Sequence, residues 1–213
     1  MIMFKDRTEA GKKLAEKLKA ELPAEKLLTA LVLSIPRGGV IVGGEISCLL
    51  NLPLDCLITK KIPAPQSEEL AIGAVAETGV VVWEEELCQR LNVSFEYKKD
   101  IVKKKLIELE QKQQDFKSKA SPLQLKDKVV IITDDGVATG ATIKAAIAVV
   151  RNFSPKEIIV AAPVVARDAL EAIKQLVDEF VYLDAPEVFF SLDQFYENFE
   201  EVDDKKVVGT LKK

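Results

Sequence analysis

The sequence predicts an α/β fold, an open, mostly parallel, twisted sheet with helices on both faces, and three observations point to it. Thr29–Ile35, Val129–Thr133 and Lys156–Val165 are apolar runs of strand length without polar alternation, as expected of strands buried on both faces. Segments of helical period separate these runs, so strand and helix alternate along the chain. Glycine-rich or acidic loops leave the carboxyl ends of the runs, where open α/β sheets bind their ligands.

In chain order, Asp6–Ala20 reads as an amphipathic helix, capped by Asp6 with Glu9 three residues on; Leu14 and Leu18 mark its buried side. Pro23 ends it, and Thr29–Ile35 is the first strand. Pro36-Arg37-Gly38-Gly39 breaks that strand, and Val40–Leu50 continues as a helix. Leu54–Thr59 is the next strand and runs into Lys60-Lys61, which makes a parallel pair with a right-handed crossover. Ala71–Glu77 and Val80–Trp83 flank Thr78-Gly79 as a hairpin. Glu84–Leu91 is a short helix. Phe95–Lys119 is a long one, with Val102, Leu106, Leu109 and Phe116 as its stripe. Asp100–Lys104 and Glu108–Lys112 pair at supporting spacing, so its lysines form a solvated face. Ser121-Pro122 punctuates.

Val129–Thr133 then leads through an acidic loop to a helix at Ile143–Arg151, with Ile143, Ile147 and Val150 on one side. Lys156–Val165 is a strand, Ala166–Val177 a helix and Phe180–Leu183 a further strand. The tail is rich in aromatics, and Asp203 caps a last short helix. Residues 1–213 are expected to form one domain, with a distinct C-terminal region from about residue 185.

Composition narrows the chemistry. The chain of 213 residues carries 30 Lys and Arg against 34 Asp and Glu, a net charge of −4, so no global field draws it to nucleic acid or an anionic membrane. It has no histidine, which excludes His-based triads, bases and metal sites. Cys48, Cys56 and Cys88 are scattered without a CxxC pair and read as reduced thiols. Charges follow Met1-Ile2-Met3-Phe4 too soon for a signal peptide, and no apolar run is of membrane-spanning length, so a cytoplasmic protein is expected.

The chemistry concentrates in Asp134-Asp135-Gly136-Val137-Ala138-Thr139-Gly140-Ala141-Thr142. Small side chains there let backbone N–H groups turn inward, and the following helix adds about half a positive charge at its start. A phosphate suits that loop, and the two carboxylates suit the hydroxyls of a sugar diol. Pro36-Arg37-Gly38-Gly39 offers a second set of N–H groups and a bidentate guanidinium for phosphate oxygens. Lys60 and Lys61 follow a strand, and side chains alternate, so at most one faces the same site; Lys61, nearer the loop, is the choice.

Val130–Thr142 resembles the signature of type I phosphoribosyltransferases, which bind phosphoribosyl pyrophosphate. It departs in Thr133, where an aliphatic residue is usual, and in Gly136, where Val or Ile is usual and where glycine is expected to loosen the loop. Phe4-Lys5-Asp6-Arg7, Ile35–Val40, Glu69–Glu77 and Ala185–Tyr196 are similar to a bacterial and archaeal group of that family without an assigned acceptor. The resemblance implies the type I fold, with a small hood built from terminal segments. It implies that Asp134 and Asp135 hold the ribose hydroxyls, that Gly136, Val137, Ala138, Thr139, Gly140, Ala141 and Thr142 cradle the 5′-phosphate, and that Pro36, Arg37, Gly38, Gly39 and Lys60 or Lys61 hold the pyrophosphate. Mg2+ would be carried largely by substrate oxygens, with Asp134 and Asp135 as its protein-side neighbours. Residues 63–77, with Glu68, Glu69 and Glu77, correspond to a mobile lid. Phe189, Phe190, Phe195 and Tyr196 could stack on a planar acceptor, with core packing as the alternative.

The implied activity is transfer of the 5-phosphoribosyl group to a nitrogenous acceptor such as a purine or pyrimidine base, with release of pyrophosphate. The alternatives are a non-catalytic regulator that binds phosphoribosyl pyrophosphate, or a sugar-phosphate hydrolase using the same pocket. A homodimer is a further expectation from related folds.

Overall fold

The computed structural model describes residues 2–116 and 123–212, with the backbone alone for Glu69 and residues 112–116. The turn at Ser121-Pro122, the Lys112 partner of Glu108 and the packing of Phe116 lie outside the described residues.

The chain runs α1 (Arg7–Glu21), α2 (Ala24–Leu28), β1 (Ala30–Ser34), α3 (Gly38–Leu50), β2 (Leu54–Cys56), β3 (Thr59–Ala64), β4 (Ser67–Ala76) and β5 (Val81–Trp83). It continues through α4 (Glu85–Arg90), α5 (Phe95–Phe116), β6 (Val129–Thr133), α6 (Ala141–Arg151), β7 (Glu157–Val164), α7 (Arg167–Lys174) and β8 (Glu179–Asp184), then a 3-10 turn at Asp193–Phe195 and α8 (Asp204–Leu211). The caps follow the sequence: Asp6 accepts the Glu9 N–H at 2.9 Å, and Asp203 accepts the Lys206 N–H at 2.7 Å.

Five strands form a parallel sheet in the order β2-β1-β6-β7-β8. Every residue of β1 and β6 is buried, because alternate side chains enter two cores. Ala30, Val32, Val129, Ile131, Ile159 and Ala161 pack with Leu14, Leu18, Val42 and Ile46 of α1 and α3. Leu31, Leu33, Val130, Ile132, Val160 and Ala162 pack with Ile143, Ile147, Leu170 and Ile173 of α6 and α7. Each such large apolar side chain contributes about 1.5–3 kcal/mol by burial, and double-sided burial leaves no polar alternation in the sequence. The chain leaves β1 for β2 on one side, whereas β6 flanks β1 on the other. The order therefore reverses between β1 and β6, the place where open sheets form a ligand crevice.

The strand expected over Leu54–Thr59 is two strands in two sheets. The Leu57 N–H still bonds the Ser34 carbonyl of the main sheet at 3.0 Å, but the Ile58 carbonyl takes the Glu77 N–H at 3.0 Å. The chain then enters a three-stranded antiparallel sheet, β3-β4-β5, which contains the expected hairpin and carries Lys60 and Lys61 on β3. Burial explains the break. Leu57 belongs to the main core, whereas Ile58 packs with Ile62, Ile72, Cys88 and Leu109 in a separate core under α4 and α5. Among the described residues no helix is long and apolar enough to cross a membrane.

Candidate functional site

Ser34 and Thr133 end β1 and β6 in register, so the loops after them leave the sheet side by side. They touch. A Cβ placed on Gly38 would fall 1.8 Å from Asp135 Oδ2, and one on Gly39 would fall 2.9 Å from Asp134 Oδ1. Only residues without side chains let the first loop lie against the acids this closely. The Pro36–Arg37 peptide just before these glycines is cis.

Asp134 Oδ1 accepts the Asp135 N–H at 2.9 Å, and Asp135 Oδ2 accepts Arg7 Nε at 2.6 Å. Among the described residues these N–H groups reach one oxygen of each carboxyl, Asp134 Oδ1 and Asp135 Oδ2, and the two carboxyls lie within hydrogen-bonding reach of each other. Burial and the neighbouring Asp135 charge push the Asp134 carboxyl well above the usual carboxylate range, with its hydrogen bond from the Asp135 N–H and Arg7 acting against them. The Tyr196 hydroxyl donates to the Asp135 carbonyl at 2.6 Å, and burial beside these acids pushes its phenol upward.

The loop beyond the acids is pinned at one point and open at the next. Val137 is buried, its N–H held by the Val164 carbonyl at 2.9 Å and its carbonyl by the Ala166 N–H at 2.8 Å. Among the described residues no backbone carbonyl takes the N–H groups of Ala138, Thr139 or Gly140. Ala138, Thr139, Ala141 and Thr142 are exposed at the start of α6, and Thr139 Oγ1 accepts the Ala141 N–H at 3.4 Å. Gly140 precedes α6 at φ 74°, and a Cβ there would lie 2.9 Å from Ile173 Cδ1, so both backbone and packing require glycine. Free amides at the positive end of an 11-residue helix make an anion cradle. Gly136 does not loosen this loop. Leu192 sits on it, so close that a Cβ on Gly136 would be 2.1 Å from Leu192 Cδ1.

The basic residues divide. Arg37 is turned to the C-terminal segment, with Nη1 3.0 Å from Glu201 Oε1 and 3.2 Å from the Val202 carbonyl. Lys60 pairs with Glu108 of α5. Lys61 points to the opposite face and lines a cavity of about 230 Å³ between the small sheet and α6. That cavity joins Lys61 to Thr139 and Ala141 at the start of α6, with Trp83, Glu84 and Lys144 on its walls. Segment 63–77 is built into β3 and β4, where Glu68 is exposed and Glu77 follows the end of β4. Of the aromatics, Phe195 and Tyr196 are buried with Phe4, Phe189 is half-buried against Phe195, and Phe190 is 85 % exposed.

Arg7, Trp83, Lys144 and Leu192 were not singled out for the site by sequence reasoning. Arg7 reaches Asp135 across 128 positions, and no local periodicity encodes such a contact. Among the described residues no group of three His, Cys, Asp or Glu side chains forms a metal cage. The donor set at Asp134 and Asp135, hard carboxylate oxygens, fits Mg2+ that keeps water and substrate oxygens.

Comparison with known proteins gives a consistent assignment. The phosphoribosyl transferase domain family matches residues 5–200. A Mycobacterium tuberculosis protein of strain H37Rv, provisionally named a phosphoribosyl transferase, is 36 % identical over 211 residues, and its counterpart in strain CDC 1551 matches equally. The match covers 99 % of this chain and 47 % of those proteins, so the chain spans about half their length. The crystal structure of TT1426 from Thermus thermophilus superposes with a TM-score of 0.85 at 33 % identity, covering 99 % of this chain and 98 % of that one. With a parallel sheet reversing between β1 and β6 and an acid pair beside an open amide loop at that reversal, the chain belongs to the phosphoribosyl transferase domain family.

Proposed function

We propose that the chain transfers the 5-phosphoribosyl group of phosphoribosyl pyrophosphate to a nitrogenous acceptor, a purine or pyrimidine base being the favoured class. The observation that carries this reading is the acid pair, with N–H donors on only one oxygen of each carboxyl among the described residues, directly before the amides of Ala138, Thr139 and Gly140, which no backbone carbonyl takes among those residues. A ribose 5-phosphate needs both features, one for its vicinal hydroxyls and one for its phosphate, on one rigid loop.

In this reading Asp134 and Asp135 accept hydrogen bonds from the ribose hydroxyls and favour positive charge developing on the ring. The loop 136–142 anchors the phosphate, so binding energy far from the reacting carbon orients it. The bond from C1 to the pyrophosphate oxygen breaks with its electron pair leaving on pyrophosphate, the acceptor nitrogen supplies the new pair, and its proton passes to solvent. Gly38 and Gly39 line the pyrophosphate side with backbone, and Lys61 supplies charge from the small sheet. Asp134 and Asp135 would hold Mg2+ together with substrate oxygens and water, and the ion would supply positive charge against the departing pyrophosphate.

A second reading, a non-catalytic binder of phosphoribosyl pyrophosphate, is favoured by one observation. Arg37, the guanidinium of the first loop, already holds Glu201 and the Val202 carbonyl. Incubation with phosphoribosyl pyrophosphate, Mg2+ and pooled purine and pyrimidine bases, followed by pyrophosphate assay, decides between the readings. Release that requires a base supports the transferase. Binding without release supports the regulator, and release with water alone indicates a hydrolase.

A further inference from the structure

Arg7 stands outside every role given above, yet three contacts hold its side chain beside the acids. Its Nε donates to Asp135 Oδ2 at 2.6 Å and its Nη1 to the Glu200 carbonyl at 2.8 Å. The guanidinium lies 3.8 Å from the centroid of the Phe199 ring, close enough for cation–π attraction. The Arg7 and Asp135 side chains are 11 % and 13 % exposed. A Cβ on Gly38 would meet Asp135 Oδ2 and, at 2.8 Å, Arg7 Nε, so Gly38, Asp135 and Arg7 converge on one point.

We infer that Arg7 is a positioning residue for diol recognition, fixing Asp135 through Oδ2 so that its other oxygen, together with Asp134, meets a vicinal diol. This deepens the proposed function and rests on that reading. The physical case is rotational. A carboxylate free to turn about its χ angles spreads its acceptors over several directions, whereas a diol with a fixed O–O spacing needs two acceptors held at once. Asp134 is held by the Asp135 N–H, a backbone group. Among the described residues the donor from outside the pair that fixes the Asp135 side chain is Arg7, which is itself clamped by Glu200 and Phe199. Around this contact lie Asp134 of the loop after β6, Tyr196 on the Asp135 carbonyl, and Asp6 and Lys206 beside Arg7 in a small cavity of about 70 Å³. The clamp therefore joins the N-terminal helix, the acid pair and the C-terminal segment.

The role differs from a staple that merely holds the ends of the chain together, and ligand pairs separate the two. Calorimetric titration of the wild type with ribose 5-phosphate, 2-deoxyribose 5-phosphate and inorganic phosphate is expected to show preference for the intact diol. Arg7→Ala should lower the affinity for ribose 5-phosphate by about tenfold or more, as loss of a hydrogen bond to a charged group does, and leave inorganic phosphate unchanged. The preference over the deoxy sugar should vanish with it. Arg7→Lys, which keeps the charge, should recover part of the preference. If Arg7→Ala does not fold, Phe199→Leu reads the same quantity, because it frees the guanidinium without removing it, and reduced preference is again expected. Equal loss for all three ligands, or an unchanged preference in folded Arg7→Ala or in Phe199→Leu, overturns the inference. A wild type without diol preference but with phosphate affinity overturns it by removing the underlying reading, which distinguishes that failure from the failure of Arg7 alone.

Discussion

Gly38 and Asp135 come from loops almost a hundred positions apart in sequence, and a Cβ on the first would sit 1.8 Å from Oδ2 of the second. The loop after β1 and the acid pair are thus one packed unit. Gly38→Ala is expected to displace Asp135 or the loop at a cost of about 1–3 kcal/mol, the usual penalty for overpacking. Thermal unfolding should register that cost, and ribose 5-phosphate affinity should fall at the same time. Full affinity in a folded Gly38→Ala protein would show that the contact does not set the site.

Much of this arrangement was legible in the sequence, and the failures share a cause. β1, β6 and β7 announced themselves because burial on both faces leaves continuous Val, Ile, Leu and Ala. The loops at 36–39 and 134–142 were legible because small residues between strand and helix have few other uses. The division of Leu54–Lys61 between two sheets was not, since Leu57 and Ile58 are both apolar and only tertiary packing sends them to different cores. Arg7 reaching Asp135 and Leu192 lying on Gly136 are long-range contacts made by ordinary residues. Strand alternation separates the two lysines, Lys60 pairing with Glu108 and Lys61 lining the cavity beside Thr139, but alternation alone does not say which of them takes which side.

Those lysines should respond differently. Lys61→Ala is expected to weaken pyrophosphate binding several-fold. Lys60→Ala removes a partly exposed pair with Glu108 and should cost at most about 1 kcal/mol of stability, leaving pyrophosphate affinity intact. Parallel titrations with pyrophosphate and urea unfolding of both variants provide the check; the reverse pattern would place the anion on the α5 side.

The buried Asp134 carboxyl gives a pH signature with a definite sign. Its native value is raised above the unfolded value of about 3.9, so the folded state binds the proton more tightly. Its contribution to stability is then fully present below about pH 4 and is lost as pH rises through the raised native value. Diol hydroxyls donate to the ionised form, so ribose 5-phosphate affinity should rise over the same window. Asp134→Asn should flatten both dependences, measured by urea unfolding and calorimetry across pH 4–8. A stability contribution from this group that grows with pH would contradict the burial argument.

In the proposed function the acid pair grips the ribose of a phosphorylated sugar. The most direct measurement is the affinity of phosphoribosyl pyrophosphate with Mg2+ for wild type and for Asp135→Ala, alongside that of inorganic phosphate. A loss of about tenfold or more for the sugar ligand, with phosphate unaffected, is predicted from the hydrogen bonds removed. Equal affinity of the two proteins for phosphoribosyl pyrophosphate would contradict it.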